Sequence, residues 1–503
     1  MKKTDRIYLY LSQSLFILVL FSASAFAATI AVTNTNDSGA GSLRQAISDA
    51  APGDAIKFSV TGTITLTSGQ LVIDRNLKIL GPGASQLSVS GNGSRVFYVN
   101  GDVTATLDGI TIENGGLSDE NGAGIYNNGT LTVNKSYIHS NNIQRDGIYG
   151  GEIAGSGGGI YNVGLLTVND SSIADNGTRI RCNFSICGSG SGGGVANAGV
   201  MAVNNSLVTG NHAECLAAPD AYCDPDSYGG GIASWGSLTV SNSSFSFNTT
   251  SGSGGGIYNL NLLIISNSNV SNNAASFGGG IISNFGVLDI SNSSVSGNAA
   301  ASSGGIAAFS YGGNGVSLRV NSSTVSGNAS EGISMYGTSA AIENSTVSGN
   351  IGEGIHISTG LTETVAVTNS TVAGNAIGIG FFGSVSGTLN NTIVARNSQG
   401  DIFGENVASA SHNLIGDAAS SGGIVNGVNG NIVGKNPMLG PLRNNGGPTM
   451  TYALLAGSPA INAGDNALAM GPTDQRGAGF ARIVGGTVDI GSFELQIRPS
   501  PLQ

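Results

Sequence analysis

Two glutamates are the first residues in this chain whose type and spacing suggest catalysis. Glu331 and Glu353 hold equivalent places in adjacent copies of a repeated unit, so stacking the units would set them one rung apart. A glycosidase needs two carboxylates about 5–9 Å apart, one as acid and one as base or nucleophile. Tyr336 and His356 fall on the same two rungs, which makes Glu331, Glu353 and His356 the sharpest catalytic constellation in the chain. The competing reading treats both glutamates as solvated turn residues that replace glycine. Like charges so close need their pKa values driven apart, and no neighbour in sequence supplies that. A β-eliminating lyase has less support, because Lys135, Arg319 and Arg396 are too dispersed to share a site.

Other groups point to binding or bracing. Tyr126, Tyr161 and Tyr258, with Ala196 and Ala233 between them, form an outward column that could stack on sugar rings or simply shield a sheet. Cys182, Cys187, Cys215 and Cys223 suggest two disulfides in an exported chain, with local pairing and cross-pairing both open. No histidine has the spacing for a zinc site, so no metal centre is expected. These cysteines lie in insertions that carry Arg145, Asp146, Glu152, Arg179, Arg181, Glu214, Asp220, Asp224 and Asp226. Asp220, Asp224 and Asp226 could hold a calcium ion, although their spacing lacks the pattern of a recognised calcium loop, and no other cofactor is expected. Near the C-terminus, Asp474 and Arg476 with Asp465 and Asp489 look like a buried ion-pair network.

The elements that would position these groups repeat. Gly157-Gly-Gly-Ile-Tyr-Asn162, Leu166-Thr-Val168, Ser171-Ser-Ile173 and Asn176 return in the same order from Gly192, Gly229, Gly254, Gly278 and Gly304, with looser copies at Gly122, Glu331, Glu353 and Ile377. Later units recur every 22 to 27 residues, a solenoid period, and three early ones run to 35 to 37 because residues are added after the Asn corner. Apolar residues alternate with polar ones over three to five positions, the pattern of short strands. One asparagine column runs from Asn141 through Asn176, Asn211 and Asn248 to Asn397. A second holds Asn205, Asn242, Asn267, Asn292, Asn344, Asn369 and Asn391, with Lys135, Asp170 and Ser322 in the same place. Both are expected to be architectural, through axial hydrogen bonds and left-handed corners. The expected fold is therefore all-β: a right-handed, single-stranded parallel β-helix with a short helix capped by Ser42 at its start and an irregular C-terminal cap.

Lys2, Lys3 and Arg6, the apolar run Leu15 to Phe21, and Ala25-Phe-Ala27 read as a signal peptide over 1–27. No other stretch approaches the ~20 apolar residues of a membrane span. The formal net charge of −11 argues against nucleic acid and anionic lipid. Residues 28–117 are expected to hold the N-terminal cap and first rungs, 118–400 the repeat with its insertions, and 401–503 the C-terminal cap.

Thr35-Asn-Asp-Ser-Gly-Ala-Gly-Ser-Leu-Arg-Gln-Ala-Ile47 resembles the CSLREA-type start of exported β-helix proteins, with Gly41 where that motif has cysteine and Gln45 where it has glutamate. Asn436-Pro-Met-Leu-Gly-Pro-Leu442, Asn445-Gly-Gly-Pro-Thr449, Gly457-Ser-Pro-Ala-Ile-Asn-Ala-Gly464, Asp474-Gln-Arg-Gly477 and Asp489-Ile-Gly-Ser-Phe-Glu494 resemble the choice-of-anchor Q domain. The glycine-rich units, with Phe245-Ser-Phe-Asn248, are similar to repeats of chlamydial polymorphic outer-membrane proteins. These resemblances imply a pectin-lyase-like β-helix, secreted or displayed at the cell surface, and no settled reaction. The favoured expectation is a non-catalytic adhesion, matrix or glycan-contacting role toward extracellular polysaccharide or a neighbouring cell surface. The alternative is a polysaccharide lyase or glycoside hydrolase.

Overall fold

The computed structural model describes residues 27–496, apart from 147–154, 183–185, 188–189, 218–221, 224–226, 311–315, 359–363, 384–385 and 405–406. The proposed signal peptide lies outside the described residues. The chain winds as a right-handed parallel β-helix of three long sheets. Among the described residues, sheet 1 has 15 strands, from Thr29–Val32 to Val407–Ser411, and sheet 2 has 15, from Gly62–Thr65 to Ile432–Val433. Sheet 3 has 13 strands, from Leu71–Ile73 to Gly400–Phe403.

Alternation sets which side chains fill the core. In Leu165–Asn169 of sheet 1, Leu166 and Val168 are fully buried while Leu165, Thr167 and Asn169 face outward. That strand pairs in register with Thr130–Asn134 before it and Val200–Asn204 after it, so identical positions stack ~4.8 Å apart. The glycine runs allow coils to approach closely: a Cβ on Gly159 would stand 2.6 Å from the Gly194 carbonyl oxygen of the next coil.

The two asparagine columns divide the work. Asn176 donates from its backbone N–H (3.1 Å) and its Nδ2 (3.0 Å) to Asn211 Oδ1, and Nδ2 also donates to Ile138 O at 2.9 Å. This buried ladder repeats along the molecule. The second column instead supplies the left-handed corner between sheets 1 and 2, with φ of 50° at Asn205 and 48° at Asn242. Two further ladders share the load. Ser171 N donates to Ser206 Oγ at 3.1 Å, and Asn127, Asn162 and Asn197 link through Nδ2-to-Oδ1 bonds of 2.7 Å inside the sheet 3 corner. Each such bond is worth ~1 kcal/mol net, and leaving its donor buried and unpaired costs about 1–3 kcal/mol.

The residues added to the early units do not simply project. They begin as strands of a fourth sheet, ordered Gly116–Leu117, Asn142–Asp146, Gly177–Cys182, His212–Ala217 and Thr249–Thr250. At the start, the helix Leu43–Asp49 lays Leu43, Ala46 and Ile47 on the end of the core, and Ser42 Oγ accepts from Gln45 N at 3.2 Å. Thr29–Val32 adds a strand ahead of the first rung. At the far end the coil continues to Val433, with Ile424 buried against its last turn. Residues 436–496 then fold back along the side of the solenoid, over sheet 2.

Candidate functional site

Glu331 and Glu353 do occupy adjacent rungs: Gly332 N donates to the Glu353 carbonyl, and Gly305 N to that of Glu331. Each takes the place of a glycine in the glycine run. Both, however, are engaged within the protein rather than left as solvated turn residues. Glu331 Oε2 accepts from Ser303 N at 2.6 Å, at a turn where Ser303 stands in the left-handed conformation. Glu353 Oε2 meets His356 Nδ1 at 2.7 Å, with Glu353 15% and His356 30% exposed. The hydrogen bond to Glu353 raises the His356 pKa above its usual value. The imidazole also stacks on Phe382 at 4.8 Å, and Gly380 leaves room for the pair: a Cβ there would lie 2.6 Å from Glu353 Oε2. Tyr336 is exposed on the rung of Glu331. The Glu353 carboxylate holds the His356 ring through Nδ1 and fixes its orientation.

The tyrosine column has two fates. Tyr126 and Tyr161 are partly exposed, and their stack begins one rung earlier than expected, at Tyr98. Ring centroids are 4.9 Å apart for Tyr98 and Tyr126 and 5.4 Å for Tyr126 and Tyr161. The Arg95 guanidinium sits over both earlier rings, and burial raises the phenol pKa values of Tyr126 and Tyr161. Tyr258, expected to be exposed, is instead buried at 5%. Tyr228 stacks on it at 4.3 Å, and Ile282, Ala307 and Phe309 complete an apolar cluster outside sheet 3.

Cys182 and Cys215 are disulfide-bonded and no free cysteine is found among the described residues. Cys187 and Cys223 pair in backbone register, and their side chains lie outside the described residues. Asp220, Asp224, Asp226 and Glu152 also lie outside them, so the calcium expectation concerns residues without a described structure. Arg145 pairs with Asp119 at 3.0 Å and Arg179 with Glu214 at 3.1 Å.

The C-terminal network is larger than expected. Arg476 pairs with Asp474 at 2.5 Å and lies between the Phe480 and Phe493 rings. Arg482, also buried, donates to Asn369 Oδ1 at 3.0 Å and Gly491 O at 2.7 Å. Burial pushes the Glu494 carboxyl up to about 7, although it accepts from Val484 N and Asp489 N. Asp465 stands apart from this network and docks on Asn391. Asp401, unmarked by sequence pattern, ends the asparagine ladder by accepting from Asn397 Nδ2 at 2.9 Å, and burial raises its pKa.

Where residues 436–496 leave sheet 2 bare, a groove of about 840 Å³ follows the corner between sheets 1 and 2. Asn205, Asn242, Asn267 and Asn292 line it with the neighbouring serines. Ala84 and Pro448 are also part of its lining. The spacing of these asparagines was visible in sequence, but their opening onto a groove was not.

No protein-family model matches the chain, and no curated protein matches it. Among solved structures it is similar to pectate lyase Pel9A, at 14% identity over 93% of this chain and 96% of that one, with a TM-score of 0.33. It is also similar to the mannuronan C-5 epimerase AlgE6 A-module of Azotobacter vinelandii, at 12% identity over 80% and 97%, TM-score 0.36. The PL6 family polysaccharide lyase Pedsa3628 from Pseudopedobacter saltans gives 12% over 80% and 91%, TM-score 0.35. At these scores the likeness carries no argument about chemistry, and the fold stands on the strand pairing itself.

Proposed function

We propose that the chain is a non-catalytic, exported β-helix that contacts extracellular polysaccharide through the aromatic face of its early rungs. The observation that carries this reading is the partly exposed stack of Tyr98, Tyr126 and Tyr161 on the flat surface of sheet 3. Rings stacked along the rungs turn a continuous row of edges and phenol hydroxyls outward, which a saccharide chain can meet at little conformational cost. The engagement of Glu331 by Ser303 N supports the non-catalytic part, because it occupies one carboxylate of the Glu331 and Glu353 pair. Disulfide-bonded Cys182 and Cys215 support an oxidising compartment, and so does the N-terminal leader pattern. No helix among the described residues is long and apolar enough to cross a membrane.

A glycan array probed with the full chain tests this. Retention on one polysaccharide class, weakened at least fivefold by Tyr126→Ala with Tyr161→Ala, is the expected result. Silence across the array removes the glycan role. New reducing or unsaturated ends that disappear in Glu353→Gln would instead establish the lyase or hydrolase alternative, for which the Glu353–His356 pair is the only support.

A further inference from the structure

The second asparagine column passes through two environments. At Asn344, Asn369 and Asn391 it is buried under the protein's own C-terminal segment. There Asn344 Nδ2 donates to Met470 O at 3.1 Å, and Asn369 Nδ2 to Leu468 O at 3.1 Å. Asn391 makes a two-way contact: Nδ2 donates to Asp465 O and Oδ1 accepts from Asp465 N, both at 2.9 Å. The segment thus runs antiparallel to the coil order, two or three residues per rung, and the column reads its main chain. In it the small residues Ala463, Gly464, Ala467, Ala469 and Gly471 are interspersed with Asp465, Asn466, Leu468 and Met470, and Asn466–Leu468 form a 3-10 turn. The approach is close: a Cβ on Gly464 would be 3.0 Å from Asn391 Oδ1.

At Asn205, Asn242 and Asn267 the same column is exposed, and at Asn292 half-buried, along the groove that has Pro448 of the C-terminal segment in its lining. Left-handed geometry alone does not demand asparagine here, because Lys135, Asp170 and Ser322 adopt the same φ in equivalent places.

We infer that the open stretch of this corner is a docking channel for a segment of a partner polypeptide that resembles residues 462–472, with small residues set between larger ones and a short turn in place of a strand. The segment's main-chain groups would be held by the side-chain amides of Asn205, Asn242, Asn267 and Asn292. The channel continues an interface that already binds polypeptide in this way. From Lys135 to Asn292 it spans six coils, or ~24 Å at the rung spacing, enough for roughly ten to fifteen residues at the density seen on the covered side.

The test uses the full chain and a fluorescein-labelled synthetic peptide of residues 462–472, followed by fluorescence anisotropy. Saturable binding is expected, weakened at least tenfold by Asn242→Gly with Asn267→Gly. Glycine keeps the left-handed corner and removes the amide, and an unchanged thermal melt confirms that the variant folds. No binding at millimolar peptide overturns the inference, and so does binding that the glycine pair leaves untouched. Cello- or chito-oligosaccharides that bind with the same asparagine dependence while the peptide does not would reassign the channel to glycan. Tyr126→Ala with Tyr161→Ala should leave peptide binding unchanged, which keeps this inference separate from the proposed glycan face.

Discussion

Sheet 2 is built from the same short strands throughout, yet its two halves meet different surroundings. Over the five strands that face the groove, the outward residue at the first position is Ser172, Leu207, Ser244, Asn269 and Ser294, all partly or fully exposed. In the later half it is Thr324, Thr346, Thr371 and Ile393, all buried beneath residues 436–496. Thr346 Oγ1 donates to Gln475 Oε1 at 2.6 Å, Ser348 shares a 2.6 Å hydrogen bond with Tyr452, and Ser492 N donates to Thr371 Oγ1 at 3.1 Å. Threonine adds to serine's hydroxyl a methyl group that can pack, which a covered face needs and a wet one does not. The ladders inside the coil are the same on both sides. Losses on the covering segment should therefore reach the coil chiefly where Ala373, Ile393, Ala395 and Leu414 pack against it, and leave the early half unchanged.

Gln475→Leu should break the covering most severely. The two N–H groups of this buried amide lie within hydrogen-bond reach of Ser323 O, Thr324 Oγ1, Thr449 Oγ1 and Met450 O, and its oxygen accepts from Thr346. Several buried partners would be left unpaired, a loss of about 3–5 kcal/mol in docking. Hydrogen exchange should rise across 436–496 and at 344–391 while the early half stays protected; unchanged exchange would sink the idea of a separable segment.

pH should act next, through Glu494. Its folded pKa of about 7 lies above the ordinary 4.5, so the docked segment has its full stability below pH 4.5 and loses it as pH rises through 7. The loss is on the order of 3 kcal/mol. Exchange measured from pH 5 to 8, corrected for intrinsic rates, should show segment opening that Glu494→Gln flattens. A pH response shared equally by the early coils would refute this assignment.

A smaller effect compares like with like. Asn369→Gly removes the bonds to Leu468 O, Asn391 Nδ2 and Arg482 and should cost ~2 kcal/mol, whereas Asn242→Gly on the open side should stay within ~0.5 kcal/mol. Equal shifts in melting would erase the distinction between the two halves. The least effect lies on sheet 3, outside both. His356 has a raised pKa, so its pairing with Glu353 stabilises below about pH 6.5 and is lost as pH rises through the folded value. With His356 partly exposed, Glu353→Gln should cost under ~1 kcal/mol at pH 5 and less at pH 9; the reverse order would contradict the ion pair.

Much of the coil is legible in the amino-acid sequence, because strand alternation and a repeated asparagine are local signals with a period. Asn141 to Asn397 read as a ladder since each member has to meet its own copy one rung on. The candidate sites are less legible. Glu331 and Glu353 fall on neighbouring rungs as their spacing implies, but Ser303 N lies 28 residues before Glu331 in sequence, and nothing local announces that it engages the carboxylate. Tyr258 looks equivalent to Tyr161 until Tyr228, from the inserted region, stacks on it. The change from Ser294 to Thr324 is visible as a residue type, with nothing local to say that it marks a covered face.

Periodicity determined the solenoid: a unit that buries half of each strand can satisfy itself only by stacking on its copy, so spacing alone fixed rungs, corners and ladders. Tertiary structure alone decided which outward faces stay open. Covering depends on residues 436–496 folding back across more than 100 positions of sequence to meet Thr324, Thr346 and Thr371, as the bond between Thr346 and Ser492 shows. No repeat encodes that contact, because the covering segment has no copy of itself in the chain.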